Sequence, residues 1–253
     1  MLERPAAADP GFPVIPSRNS DNEGVTGAGL HDRAAPRCVE RIQAVAPAAC
    51  YGFEMNLLST DVPLVTLRLV LEPLVAAHAA AIFGPLGDER LYRFIPQNPP
   101  PSLAQLRARY DRLSSRRSPD GTEAWLNWVM RLSETGEYAG TLEATIFADR
   151  TAFIAYTVFV PHQRRGYATE GVARILEHLV ADHGVVLMIA EVDTRNAPSR
   201  ALLERLGFQR VAEHRSADHF KGAPSDEYRY ELRPSVRPGA SAYRSSTPDG
   251  HGV

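Results

Sequence analysis

A chain of 253 residues with 44% apolar and 23% charged side chains is long enough to bury one sizeable core and has an ordinary soluble composition. Its 28 Lys and Arg against 30 Asp and Glu leave a net charge of -2, which excludes a global basic field for nucleic acid or an anionic membrane, so local basic residues need local reasons. Cys38 and Cys50 match no metal-ligand or redox spacing, which leaves neither a zinc site nor a disulfide framework to build on.

Residues 1–60 are rich in Pro, Ala, Asp, Asn and Gly and read as a disordered extension. The N-terminus lacks an apolar signal region and no apolar run reaches membrane-spanning length, so a cytoplasmic location is expected. Patterned sequence begins directly after Met55, and one hypothesis is that the natural start lies there, the first segment being a gene-start artefact or a dispensable leader. Residues 66–71 then read as a strand and 73–83 as a helix, with Pro73 in its first turn, where the missing N–H costs nothing. A second helix is expected over 102–116, with Ser102 and Gln105 spaced as a capping box. Residues 118–121 form a turn. The runs 124–132, 138–147 and 152–160 are strand-like and joined by short turns, which predicts an antiparallel meander.

Next comes the segment Gln163-Arg164-Arg165-Gly166-Tyr167-Ala168, followed from Thr169 by apolar residues at helical spacing (Val172, Ile175, Leu176, Leu179) up to Gly184. A strand that stops at a basic, glycine-containing turn and continues as a helix aims several N–H groups and the positive helix end at one spot. That geometry suits a phosphate. The nearly all-apolar run 185–192 predicts a strand buried on both faces and parallel to its predecessor. A helix over 197–206 closed by Gly207, strands over 208–213 and 227–232, and a loose tail over 234–253 complete the chain. The sum is an α/β domain over 61–233, with one mixed, mainly antiparallel sheet and helices on both faces.

Gln163, Gly166 and Ala168 satisfy in order the pattern of Gln or Arg, two residues, Gly, one residue, then Gly or Ala. With Gly166-Tyr167-Ala168-Thr169-Glu170, Asn196-Ala197-Pro198-Ser199 and Leu203 to Phe208, it resembles the GNAT superfamily of N-acetyltransferases over residues 65–232. The branch resembled is the one that includes ribosomal-protein-alanine N-acetyltransferases. This resemblance implies a GNAT fold and acetyl-CoA as co-substrate, with backbone N–H groups from Arg164 to Ala168 and Thr169 on its pyrophosphate. Gly166 and Ala168 are small where backbone must approach phosphate closely. Val158, Phe159 and Val160 would offer free backbone groups to pantetheine, one N–H holding the thioester carbonyl. Asn196 would contact pantetheine, and Ser199 would protonate the leaving thiolate or merely occupy the first helical turn. Many relatives carry a tyrosine acid seven residues after the asparagine, where Leu203 stands here.

Acetyl transfer to an amine also needs a base. Glu143, within a strand, and Glu191, at the end of the buried strand, are the candidates, each with the competing reading of a solvated or Arg-paired carboxylate. Trp125, Trp128 and Tyr156 are candidate acceptor-pocket aromatics or core. His178 and His183 lack metal-site spacing, and no metal is expected. The acceptor is a primary amine, on a protein N-terminus or a small molecule, and the protein a monomer or homodimer. Two rivals stay open: a non-catalytic acyl-CoA-binding regulatory module and a nucleotide-binding domain. The loop lacks the P-loop ending and the dinucleotide glycines the latter requires.

Overall fold

A computed structural model describes residues 61–234, and the expectations for the N-terminal extension, Met55 and the tail beyond them lie outside the described residues. One sheet of eight strands runs in the order β1-β2-β3-β4-β5-β6-β8-β7. Its first part is β1 (Leu64–Val65), β2 (Leu69–Pro73), β3 (Glu123–Leu132), β4 (Tyr138–Phe147) and β5 (Thr151–Val158), each antiparallel to the last. The meander was legible; the single strand over 66–71 was not. Residues 66–68 instead form the turn between β1 and β2, closed by the Thr66 N–H on the Leu69 carbonyl at 2.9 Å.

Between β2 and β3 lie α1 (His78–Leu86), a 3-10 turn at Glu89–Tyr92 and α2 (Leu103–Leu113). Pro73 closes β2 rather than opening α1, whereas Ser102 caps α2 as its spacing predicts, accepting from the Gln105 N–H at 3.2 Å. After β5 the chain passes through a 3-10 turn at Val160–His162 into α3 (Tyr167–His183), then β6 (Leu187–Asp193) and α4 (Ala197–Arg205). The last two strands, β7 (Gln209–Phe220) and β8 (Ala223–Leu232), extend much further than their apolar pattern suggests, because β7 is an irregular edge strand with mostly exposed side chains. β8 inserts between β6 and β7.

Strand alternation sorts the core into two layers. Leu142, Ala144 and Ile146 of β4 join Val172, Ile175 and Leu179 of α3 in one buried cluster. Val129 of β3 and Phe159 pack on the opposite face with Ile82 of α1 and Leu106 and Tyr110 of α2. Helices therefore cover both faces, as expected. Among the described residues no helix is long and apolar enough to cross a membrane.

β4 approaches β5 closely at Gly140, which pairs with Val158 beside a register shift in β3 between Met130 and Arg131. A Cβ on Gly140 would overlap the Thr157 carbonyl oxygen and the Met130 side chain. Gly140→Ala should therefore destabilise the fold by about 2–3 kcal/mol, measurable by urea unfolding, because the obstacle is backbone that cannot turn aside.

Candidate active site

The loop from β5 to α3 has the geometry of an anion cradle. Arg164 and Gly166 are left-handed, with φ of 60° and 83°. Gly166 is the N-cap of the 17-residue α3 and makes no side-chain cap, so the N–H groups of the first turn are left to a ligand. A Cβ on Gly166 would lie 3.3 Å from Arg68 Nη2, in space the bare backbone leaves clear. Gln163 fixes the loop by donating from Nε2 to the Val158 carbonyl at 3.0 Å. Gln163, Arg164, Gly166, Tyr167, Ala168 and Thr169 all border one cleft of about 540 Å³. Arg165 does not border it; its carbonyl accepts from Arg68 Nη1 at 3.0 Å. These residues fit a pyrophosphate.

The cleft exists because β5 and β6 part. They pair in parallel only at Thr151 with Leu187, Ala152 with Met188 and Phe153 with Ile189, although β5 continues to Val158 and β6 to Asp193. Residues 155–158 of β5 form one wall, and Asn196 and Ser199 of α4 part of the other. The expectation for the strand end needs correction at two residues. The Phe159 N–H donates to the Ala139 carbonyl at 2.8 Å and its ring is buried in the α1–α2 layer; Val160 belongs to the 3-10 turn and also lies off the cleft. Because antiparallel ladders alternate, a Phe159 bonded toward β4 leaves the N–H groups of Val158 and Tyr156 facing the opening, the Val158 carbonyl being taken by Gln163. Val158 remains as the free N–H of the three.

Glu143 lies on the floor of the cleft, half-buried, on the face of β4 toward α2. Burial pushes its carboxyl above the usual carboxylate range, and the positive charge of Arg109 on α2 opposes that shift. Glu191 is elsewhere: it does not border the cleft and its carboxylate is 3.4 Å from Arg229 Nη1, the Arg-paired alternative. Asn196 caps α4, accepting from the Ser199 N–H at 3.3 Å, and both border the cleft. Above Ser199, the Tyr156 hydroxyl donates to its carbonyl at 3.4 Å; burial pushes this phenol up to about 12, so it keeps its proton at neutral pH. Leu203 is fully buried in the core. Trp128 and Tyr156 border the cleft, whereas Trp125 does not and donates to Glu123 at 2.8 Å. His178 and His183 stack edge to face, with His178 Nδ1 2.7 Å from Asp182.

Sequence reading missed Thr66 and Arg68. Thr66 Oγ1 donates to Glu170 Oε1 at 2.6 Å, the Arg68 N–H to the same oxygen at 2.8 Å, and Arg68 Nε to Oε2 at 2.7 Å. The guanidinium also lies 4.8 Å over the Tyr167 ring. Burial disfavours the Glu170 charge, but these hydrogen bonds and the Arg68 charge outweigh it and hold the carboxyl below its ordinary value. An acid in the first turn of an anion-binding helix was the available signal, since it requires a cation beside it. The partner sits 102 residues away in a turn that had been read as strand.

Glu143 generates a pH prediction. Its folded-state pKa is raised, so its contribution to stability is present at low pH and lost as pH rises through that value. Glu143→Gln, which cannot ionise, should raise the melting temperature at pH 8 by about 2 °C, with the difference vanishing on acidification below the unfolded-state pKa.

Comparison with known proteins places this geometry. A family model described as the acetyltransferase (GNAT) domain matches residues 68–209. The uncharacterized N-acetyltransferase YoaA of Bacillus subtilis (strain 168) is 25% identical over 169 residues, covering 66% of this chain and 94% of that protein. Among solved structures, Mycobacterium smegmatis RimJ in complex with CoA-disulfide is similar with a TM-score of 0.62 at 23% identity, over 71% of this chain and 91% of that one. RimL, a ribosomal alpha-N-protein acetyltransferase in complex with coenzyme A, has a TM-score of 0.61 at 17% identity, over 68% and 98%. An acetyltransferase of the same family from Bacillus anthracis has a TM-score of 0.58 at 17% identity, over 68% and 98%. The chain carries the GNAT fold and belongs to the GNAT acetyltransferase family, as an acyl-CoA-dependent acetyltransferase.

Proposed function

We propose that this enzyme moves the acetyl group of acetyl-CoA to a primary amine by direct attack, without a covalent enzyme intermediate. The observation that carries the reading is the alignment along one cleft of the α3 cradle, the free edge of β5 and, beyond it, Glu143. Tyr167, Ala168 and Thr169 present N–H groups to the pyrophosphate, Asn196 lies beside the pantetheine arm, and the Val158 N–H holds the thioester carbonyl as negative charge develops on its oxygen. The acceptor arrives as an ammonium ion. Glu143 takes one of its protons, the nitrogen lone pair attacks the carbonyl carbon and the C–S bond breaks. The thiolate leaves with the second proton, supplied through the Ser199 hydroxyl with Tyr156 beside it. A carboxyl raised by burial suits this base better than an ordinary surface carboxylate would.

Glu191 has no part in this scheme. A protein N-terminus is one acceptor the reading admits, supported by RimL, which is a ribosomal alpha-N-protein acetyltransferase. The reading also keeps a small-molecule amine, and the cytoplasm as the place of action.

Calorimetric titration with acetyl-CoA tests the coenzyme site: micromolar binding is expected, lost in Gly166→Trp, and no binding by the intact protein would overturn the reading. Glu143→Gln should retain that binding and lose turnover by about 10²- to 10⁴-fold. Arg68→Ala releases Glu170 as an uncompensated negative charge at the anion site, so its acetyl-CoA Kd should rise about tenfold. Combining it with Glu170→Gln should restore part of the loss.

A further inference from the structure

The acceptor end of the cleft has a composition that selects among amines. Glu143 is the one acidic side chain bordering the cleft among the described residues, and Arg109 is the cation near it; Arg90 also borders the cleft but is paired with Asp88, and Arg164 belongs to the cradle. A polycationic acceptor needs several carboxylates to replace its water, and here it would meet one, with the Arg109 guanidinium near it. Polyamines and aminoglycosides are therefore disfavoured by the charge of the cleft itself.

A single ammonium group next to an anion or a carbonyl dipole fits better. Arg109 is near enough to Glu143 for its charge to shift that carboxyl, so the floor presents a negative and a positive group together. The α-amine of an amino acid has the matching arrangement, its nitrogen one carbon away from a carboxylate or peptide carbonyl.

The same cleft has an apolar wall that is incompletely covered. Leu91 in the 3-10 turn, Phe94 and Ile95 just after it, and Leu113 of α2 border the cleft and are each partly exposed. Leu106 lies behind them, fully buried. Two ties fix the backbone of this wall. The Tyr92 hydroxyl donates to the Leu86 carbonyl at 2.8 Å, and Lys221, at the tip of the β7–β8 hairpin, donates to the carbonyls of Tyr92 and Ile95, the latter at 3.1 Å. Lys221 is the chain's single lysine. An apolar wall with a tied backbone, in the same cleft as a carboxylate and a guanidinium, suits an apolar side chain on an α-amine.

We propose that the acceptor is the α-amine of an amino-acid residue with an apolar side chain, such as Leu, Met or Phe, either free or at the N-terminus of a peptide. This rests on the amine-acetylation reading. The transfer is the one already described: the C–N bond forms, the thioester C–S bond breaks, one proton goes to Glu143 and the other to the thiolate.

The test is release of coenzyme A thiol from acetyl-CoA with free Leu, Met and Phe, with short peptides beginning with those residues, with peptides beginning Ser or Asp, and with spermidine and kanamycin. The apolar probes should exceed the Ser- and Asp-initiated peptides about 10- to 100-fold in kcat/KM, the range expected for burying such a side chain. Spermidine and kanamycin should be poor. The free and peptide arms separate the two sources, and Arg109→Gln should cost the free amino acids more, since they present a full carboxylate. Ile95→Asn and Phe94→Ser should erase the apolar preference while the acetyl-CoA Kd stays unchanged, which also reports that the variants fold. Preference for Ser, Asp or polyamine probes, or no turnover of any apolar probe by protein that binds acetyl-CoA, would overturn the proposal. Absence of acetyl-CoA binding would instead overturn the coenzyme reading beneath it.

Discussion

The structure depends on a sheet that is allowed to come apart at one place. β5 is held by β4 from Gly140 to Ile146 and β6 by β8 from Met188 to Asp193, so each strand is secured on its outer side. Between them, parallel pairing lasts three residues and then stops. An opened sheet would ordinarily leave backbone N–H and C=O groups unpaired, at a cost comparable to lost hydrogen bonds. Here the opening faces a cleft, where the proposed coenzyme arm would take up those groups by adding as a strand. The cradle at the start of α3 and the cap of α4 have their positions because each helix follows directly on one of the two parted strands.

Charge along the cleft is arranged against the stability of the free protein. At the cradle end, the positive helix terminus and the left-handed loop wait for an anion, and Glu170, which would repel it, is neutralised by Arg68 and Thr66 from another part of the chain. At the far end, Glu143 is held where its charged form is disfavoured. Under the base role proposed above, the burial of that carboxyl is a cost of function that a neutral isostere would not carry.

How much of this was legible in the sequence follows from the range of each interaction. The cradle was, because turn, glycine and helix are contiguous, and so was the meander, whose strands are joined by short turns. Ser102 as a cap and Leu203 as the departure from the tyrosine pattern were also local facts. The split at 66–68 was not legible, since Val65, Leu67 and Leu69 continue the strand-like alternation while Leu67 is in fact almost fully exposed, 91%. The fate of Glu191 turned on Arg229, 38 residues away on a strand whose place beside β6 no local pattern states. Phe159 looked like part of β5, but its ring was claimed by the second core layer and its N–H by Ala139. The apolar wall of the cleft around Phe94 and Ile95 had no periodic pattern to announce it, being a 3-10 turn and loop.

A crystal structure with coenzyme A bound tests the central claim most directly. The account predicts the pyrophosphate on the N–H groups of residues 164–169 and the pantetheine arm between β5 and β6, hydrogen-bonded to the backbone of Tyr156 and Val158. Coenzyme A bound outside that opening, or β5 and β6 paired to their ends in the complex, would contradict it.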